Sequence, residues 1–269
     1  YVSFIQIHHY GYFNGPEALS GPKKIDRLRE IESADLVAAM GHLKNHTFRP
    51  VTDDLFIFQG FTEFHRSGAF AEQFKRRDLR MLIGEVLNEE TLYATYNSPA
   101  SNLDSLRLQV SNYYAPEITE RVFADPDGWK TRYGNIIADG QVRAPSRCLI
   151  HWLHSQGVPH ADIWRYRIAY RLSFITDKVA PWSFGVSHAM DTPFWNFSIL
   201  NGPTEAERTL MENWIQVLKA FVQDNRRYDF DTWAIGEMKV ATPEGTIEIQ
   251  RDERWPSLVQ LGEVFANDL

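Results

Sequence analysis

The sequence predicts an α/β layered domain, and three observations carry that expectation. Two segments read as strands. Asp78-Leu-Arg-Met-Leu-Ile-Gly84 is a short apolar run entered from a charged stretch, expected to be a buried strand. In Ala161-Asp-Ile-Trp-Arg-Tyr-Arg-Ile-Ala-Tyr-Arg171, aromatic and branched residues alternate with polar ones. Helical patterns lie before, between and after these segments, the alternation expected of helices layered on a sheet. Composition supplies the core: 43% of the 269 residues are hydrophobic, with no repeat, low-complexity linker or shift in composition to divide the chain.

Taken in order, residues 1–23 are aromatic, punctuated by Gly and Pro, and without a period; they are expected to be irregular. Residues 24–269 then form one unit. Lys24–Leu43 reads as two short helices, the first with Ile25, Leu28 and Ile31 on one face. Ser33 with Asp35 caps the second, which carries Leu36, Val37 and Met40. The first strand runs into Glu85-Val-Leu-Asn-Glu-Glu-Thr91, an acidic loop opening a helix. Ser101 with Asp104 makes a capping pattern before Leu106 and Val110. A further helix is expected near Pro116, and a turn at Asp125-Pro-Asp-Gly128. Trp129–Ile137 and Ala144–His154 read as helices, the second closed by Gly157.

The second strand is followed by a connection that Pro181 and Gly185 punctuate, so His188 is expected on a loop beyond a strand end. Thr204 and Glu207 cap the strongest helix, in which Leu210, Met211, Trp214, Ile215, Leu218, Phe221 and Val222 fall at helical spacing. That stripe reads as core packing. Met238–Gln250, broken at Pro243-Glu-Gly245, reads as a hairpin.

Charge and cysteine content narrow the function classes. A net charge of -7 without a basic cluster argues against a nucleic-acid partner. No apolar run is long enough to span a bilayer, so a soluble chain is expected. The single cysteine, Cys148, excludes an internal disulfide and any multi-cysteine metal site. It favours an intracellular, reducing compartment, with secretion left open. Tyr1 opens the chain without a methionine or a signal-like segment, which suggests a processed precursor or an ordered part that starts late. The triplets Asn45-His46-Thr47 and Asn196-Phe197-Ser198 carry little weight as glycosylation sites. His8-His9 lacks a third ligand at sensible spacing, and neither a metal nor a cofactor is expected.

Chemistry is expected at the two strand ends, which deliver Glu89 and His188. Strands of an open α/β sheet set their carboxyl ends along one edge, where ligands bind. A carboxylate on one imidazole nitrogen fixes the tautomer and frees the other nitrogen to take a proton. On the residues alone, Glu85 and Glu90 compete with Glu89 for the acid role. The plain alternative is a solvated acidic loop favoured by a helix N-terminus. A nucleophile is not found. The chain contains no G-x-S-x-G, HExxH, GxGxxG or P-loop, and Ser20, Ser67 and Ser183 lack the glycines a strained elbow needs.

These two stretches resemble the type-B carboxylesterases, the cholinesterase and lipase family of the α/β-hydrolase fold. The strand, Gly84 and Asn88-Glu89 match the family's acid motif; Gly185, His188 and Asp191 match its histidine motif in register. Arg27 to Met40, Asp139 with Pro145, and Met211 with Trp214 add subsidiary likenesses. The resemblance covers the chain from about residue 24 onward and corresponds to the C-terminal half of a family member, with Glu90 where the family usually has glycine.

The resemblance implies a mostly parallel sheet flanked by helices and completed by another chain, in a heterodimer. That chain would bear the serine elbow and oxyanion loop. It implies His188 as general base, Glu89 as its orienter, Asp191 bracing the loop, and Trp182, Phe184, Phe194 and Trp195 lining a pocket for a small-molecule ester. The alternative reading is a non-catalytic cholinesterase-like interaction module, since the family includes adhesion proteins.

Overall fold

A computed structural model describes residues 21–40, 52–96, 98–100, 102–111, 129–196 and 202–267. Two short helices lead, α1 (Gly21–Arg29) and α2 (Ser33–Met40), and α3 (Phe61–Arg66) and α4 (Ala69–Arg76) follow. Strand β1 (Met81–Val86) opens the sheet. Helices α5 (Glu90–Tyr96), α6 (Leu103–Ser111), α7 (Trp129–Ala138) and α8 (Ala144–Ser155) lie between it and β2 (Ile163–Ile168). After the histidine loop come α9 (Thr192–Asn196), α10 (Glu205–Val222), β3 (Glu237–Ala241), β4 (Ile247–Arg251) and α11 (Trp255–Asn267). The order in the sheet is β1-β2-β3-β4, parallel except for the β3–β4 hairpin. The fold is α/β, as expected.

Alternation along β2 divides the sheet into two unlike faces. Trp164, Tyr166 and Ile168 meet α10, where Met211, Trp214, Val217 and Ala220 are buried with them. Burying each such large apolar side chain contributes about 1.5–3 kcal/mol. Ile163 points the other way, to Ile150 and Leu153 of α8. Arg165 shares that second face and is buried beside α8 with Arg147, Glu85 and Asp252. Gly84 is glycine for a packing reason. A Cβ there would collide with the backbone oxygen and ring of Tyr166, its register partner on β2.

Several expectations shift in detail. β1 starts at Met81, and its first four residues are only half-buried, because among the described residues no strand pairs with its other edge. Glu85 belongs to that strand and not to the acidic loop. The helices at 129 and 144 run together through a π-helical turn over Asp139–Arg143. Pro145 has no N–H to donate back, which favours widening the turn just before it. Asn102 caps α6, its Oδ1 accepting from Ser105 N–H at 2.8 Å. Helix α1 already begins at Gly21.

The capping box at Thr204 and Glu207 is present, and so is the hairpin, closed by Thr242 N–H to Thr246 O at 2.8 Å. The sequence reading did not anticipate α11. Residues 1–20, the Asn45 triplet, Phe197-Ser198, Ser101, the helix at Pro116 and the turn at Asp125–Gly128 lie outside the described residues. Among the described residues, no helix is long and apolar enough to cross a membrane.

Candidate active site

Glu89 and His188 come from the loops that follow β1 and β2, and pairing continues past both strands to join those loops. Leu87 N–H donates to Ile168 O at 3.0 Å and Asn88 N–H to Val186 O at 2.8 Å, leaving Asn88 and Ser187 bridged as parallel partners. The residue after each bridge partner is Glu89 on one side and His188 on the other. Their side chains meet, with His188 Nδ1 2.7 Å from Glu89 Oε2. The second carboxylate oxygen, Oε1, accepts from Val86 N–H at 3.0 Å, so the acid is held to its own strand.

The pair is asymmetric in exposure: the Glu89 side chain is 5% exposed and that of His188 47%. The hydrogen bond from Nδ1–H to Glu89 holds the imidazole above its ordinary pKa; partial burial opposes this, and the charges of Glu89 and Asp191 reinforce it. Since Nδ1 faces the carboxylate, Nε2 is the nitrogen left for chemistry. Tyr93 lies tilted beside the imidazole, ring centroids 6.1 Å apart.

The histidine turn is fixed from both sides. Ala189 adopts the left-handed backbone conformation that a side chain disfavours, with φ of 68°, and Met190 N–H closes the turn on Ser187 O at 3.0 Å. Arg171 directs its donors at carbonyls of the connection, among them Ala180 O at 2.6 Å and Gly185 O at 2.7 Å. Asp191 Oδ2 accepts from Tyr166 OH and Trp195 Nε1, each at 3.1 Å.

The competing carboxylates are committed elsewhere. Glu85 is buried between Arg147 and Arg167. Burial alone would raise its pKa, but hydrogen bonds and charge from Arg147, with Arg167, bring it down to about 2. Glu90 pairs with Arg143, which also donates to Asp139 at 3.0 Å. Of the three acids, Glu89 is the one hydrogen-bonded to His188.

The four aromatics expected around the histidine separate. Phe184 and Phe194 are buried in the core beside Trp214, and Trp195 is half-buried with its indole on Asp191. Trp182 alone is exposed, and Arg171 lies over its ring. A cavity of about 510 Å³ lined by Arg80, Trp164, Arg226 and Tyr228 sits at the opposite strand ends. Arg226 is already neutralised there by Asp78, Asp162 and Asp224. The sequence carries no motif for Arg171, Thr91 or Ser187: Thr91 and Ser187 meet across 96 residues, and Arg171 donates to carbonyls 4 to 14 residues on, contacts that no side-chain pattern announces.

Set against known proteins, the chain is 32% identical over 267 residues to an uncharacterized esterase/lipase of Schizosaccharomyces pombe, covering 94% of this chain and 49% of that protein. It is 24% identical over 251 residues to a carboxylic ester hydrolase of Gibberella moniliformis, covering 88% of this chain and 46% of the relative. The likeness is to esterases. No family model matches. The chain spans about half the length of these curated relatives.

Proposed function

We propose that the chain supplies the base and acid of a serine carboxylesterase of the type-B kind, hydrolysing a small-molecule carboxylic ester. The nucleophilic serine and oxyanion hole would lie on a companion half that these residues do not contain. The observation that carries this reading is the 2.7 Å contact between His188 Nδ1 and the buried Glu89 carboxylate. Similarity to proteins named for ester hydrolysis, about twice as long, supports it. So does the edge of β1, which is unpaired among the described residues and offers its backbone to a further strand.

In this scheme Glu89 accepts a hydrogen bond from Nδ1–H, which keeps the proton on Nδ1 and the lone pair on Nε2. As the serine oxygen attacks the ester carbonyl, Nε2 takes the serine proton; it then delivers that proton to the departing alkoxide, releasing the alcohol. Water attacks the acyl-enzyme with help from the same nitrogen, and the proton returns to the serine as the acid leaves. Asp191 braces the loop from behind through Tyr166 and Trp195.

The test is hydrolysis of a p-nitrophenyl ester by this chain expressed with the companion half. The pair is expected to be active, and this chain alone inactive. Activity undiminished by His188→Ala in the pair overturns the assignment.

A further inference from the structure

We infer that Asn88 is a positioning residue, whose side chain locks into the space left by Gly185 and thereby sets Glu89 opposite His188. The inference rests on the esterase reading and adds to it the element that determines the register of the two loops.

Past Val86 and Ile168 the strands have ended, and backbone pairing between the two connections continues only at Leu87 and Asn88. Asn88 extends the ladder with one residue, through its backbone N–H and its side-chain oxygen. Its Oδ1 accepts from Val186 N–H at 3.1 Å, while its own N–H donates to Val186 O at 2.8 Å. Val186 therefore has both backbone groups satisfied by a single residue of the other loop. Val186 is itself buried, so an unmet N–H there would carry its full desolvation cost.

Gly185 is required on two grounds. Its backbone, at φ 61° and ψ −128°, occupies a region that only glycine enters readily. A Cβ would also overlap Asn88 Oδ1 and lie 2.9 Å from Cγ. The amide is therefore seated where a side chain has been left out.

The lock has a defined polarity. Asn88 Nδ2 donates to Glu90 Oε1 at 3.2 Å, and Glu90 is in turn held by Arg143. An aspartate would keep the acceptor for Val186 but set a second carboxylate against Glu90. Around it, Thr91 Oγ1 lies 2.9 Å from Asn88 O, Phe184 O and Ser187 Oγ, tying helix α5 to the histidine loop. A shift of one loop relative to the other would break the contacts of Asn88 with Val186 and of Thr91 with Phe184 and Ser187 together, and move Glu89 off Nδ1. Displacement of about 1 Å at a reacting pair can cost on the order of 100-fold in rate.

The experiment uses the active pair of halves and compares Asn88→Ala, Asn88→Asp, Gly185→Ala and the double Asn88→Ala/Gly185→Ala. Two readouts are taken: ester kinetics across pH, and the titration of the His188 ring by NMR. Asn88→Ala is expected to lower kcat by about 10–100-fold with KM nearly unchanged, and to bring the His188 pKa down toward its ordinary value. Asn88→Asp should recover much of kcat, because the Val186 N–H regains an acceptor. Gly185→Ala should cost less in the Asn88→Ala background than alone, since the overlapping oxygen is gone.

If Asn88→Ala does not fold, Asn88→Ser carries the same comparison with a side chain too short to reach Val186. Unchanged kcat and His188 titration in the folded Asn88 variant overturns the lock. Persistent activity in His188→Ala, run alongside, overturns the esterase reading instead, so the two failures are distinct.

Discussion

Glu85 within β1 and Glu89 just past its end lie four residues apart, both buried, and meet opposite fates. Glu85 is enclosed by Arg147 and Arg167, with its charge neutralised and its oxygens occupied. Glu89 has one oxygen on Val86 N–H and the other on a half-exposed imidazole that can exchange its proton with something outside. The difference teaches that a carboxylate becomes chemically useful through what is set opposite it. Two permanent cations make Glu85 a structural tie between β1, β2 and α8. One titratable ring is what Glu89 has opposite it, the arrangement on which the proposed proton transfer depends.

The sharpest way to break this contrast is Glu89→Gln. An amide can donate to Nδ1 and so leave the proton on Nε2, the wrong tautomer for a base. A fall in kcat of about 10⁴-fold with stability little changed is the expected outcome, checked by ester kinetics and a urea melt.

Glu85→Gln should show the reverse: His188 titrates as before, while unfolding by urea reveals a loss of about 3–5 kcal/mol, because Arg147 and Arg167 lose the charge that compensates them in the interior. The pH dependence separates the pair as well. With a folded pKa of about 2 against an ordinary 4.5, Glu85 contributes stability above about pH 4.5 that is lost as pH falls toward 2. His188 is shifted upward. Its contribution is present below its ordinary 6.5 and disappears as pH rises through the folded value. Urea midpoints measured across pH should therefore lose their acid limb in Glu85→Gln and their neutral-range limb in Glu89→Gln.

The smallest effect is expected from Asp191→Asn. The amide oxygen can still accept from Tyr166 and Trp195, so the loop keeps its brace while one negative charge leaves the neighbourhood of the imidazole. His188 should titrate lower, by less than in Glu89→Gln, when followed by NMR.

Much of the scaffold was legible in local pattern. The box at Thr204 and Glu207, the stripe through Leu210, Met211 and Trp214, and the hairpin around Gly245 each depend on residues close in sequence, and each is present. The π-helical turn at Asp139–Arg143 escaped notice because Gly140 and Pro145 suggest an interruption rather than a widened helix. That β1 is half-buried, at the edge of the sheet formed by the described residues, could not be read from its apolar run, since exposure there depends on which strand is beside it.

For the candidate site, the residues alone left three acids in contention. The family likeness favoured Glu89, and in the folded chain Glu89 is the one hydrogen-bonded to His188. The aromatics near His188 were legible as hydrophobic, but not as core or surface. Phe194 is fully buried and Trp182 mostly exposed, although both flank the same loop.

By itself the sequence determined many of the segments that become helix or strand, because period, capping and turn chemistry act over a few residues; α3, α4 and α11 were not among them. It also determined that a carboxylate and an imidazole would leave two strand ends. Only the tertiary structure decided which carboxylate meets the ring and which is enclosed by arginines. Partners such as Glu85 with Arg147, or Asn88 with Val186, lie 62 and 98 residues apart. Hydrogen bonds and charges act over a few ångströms in space, and that proximity exists only once the sheet has brought β1 and β2 together.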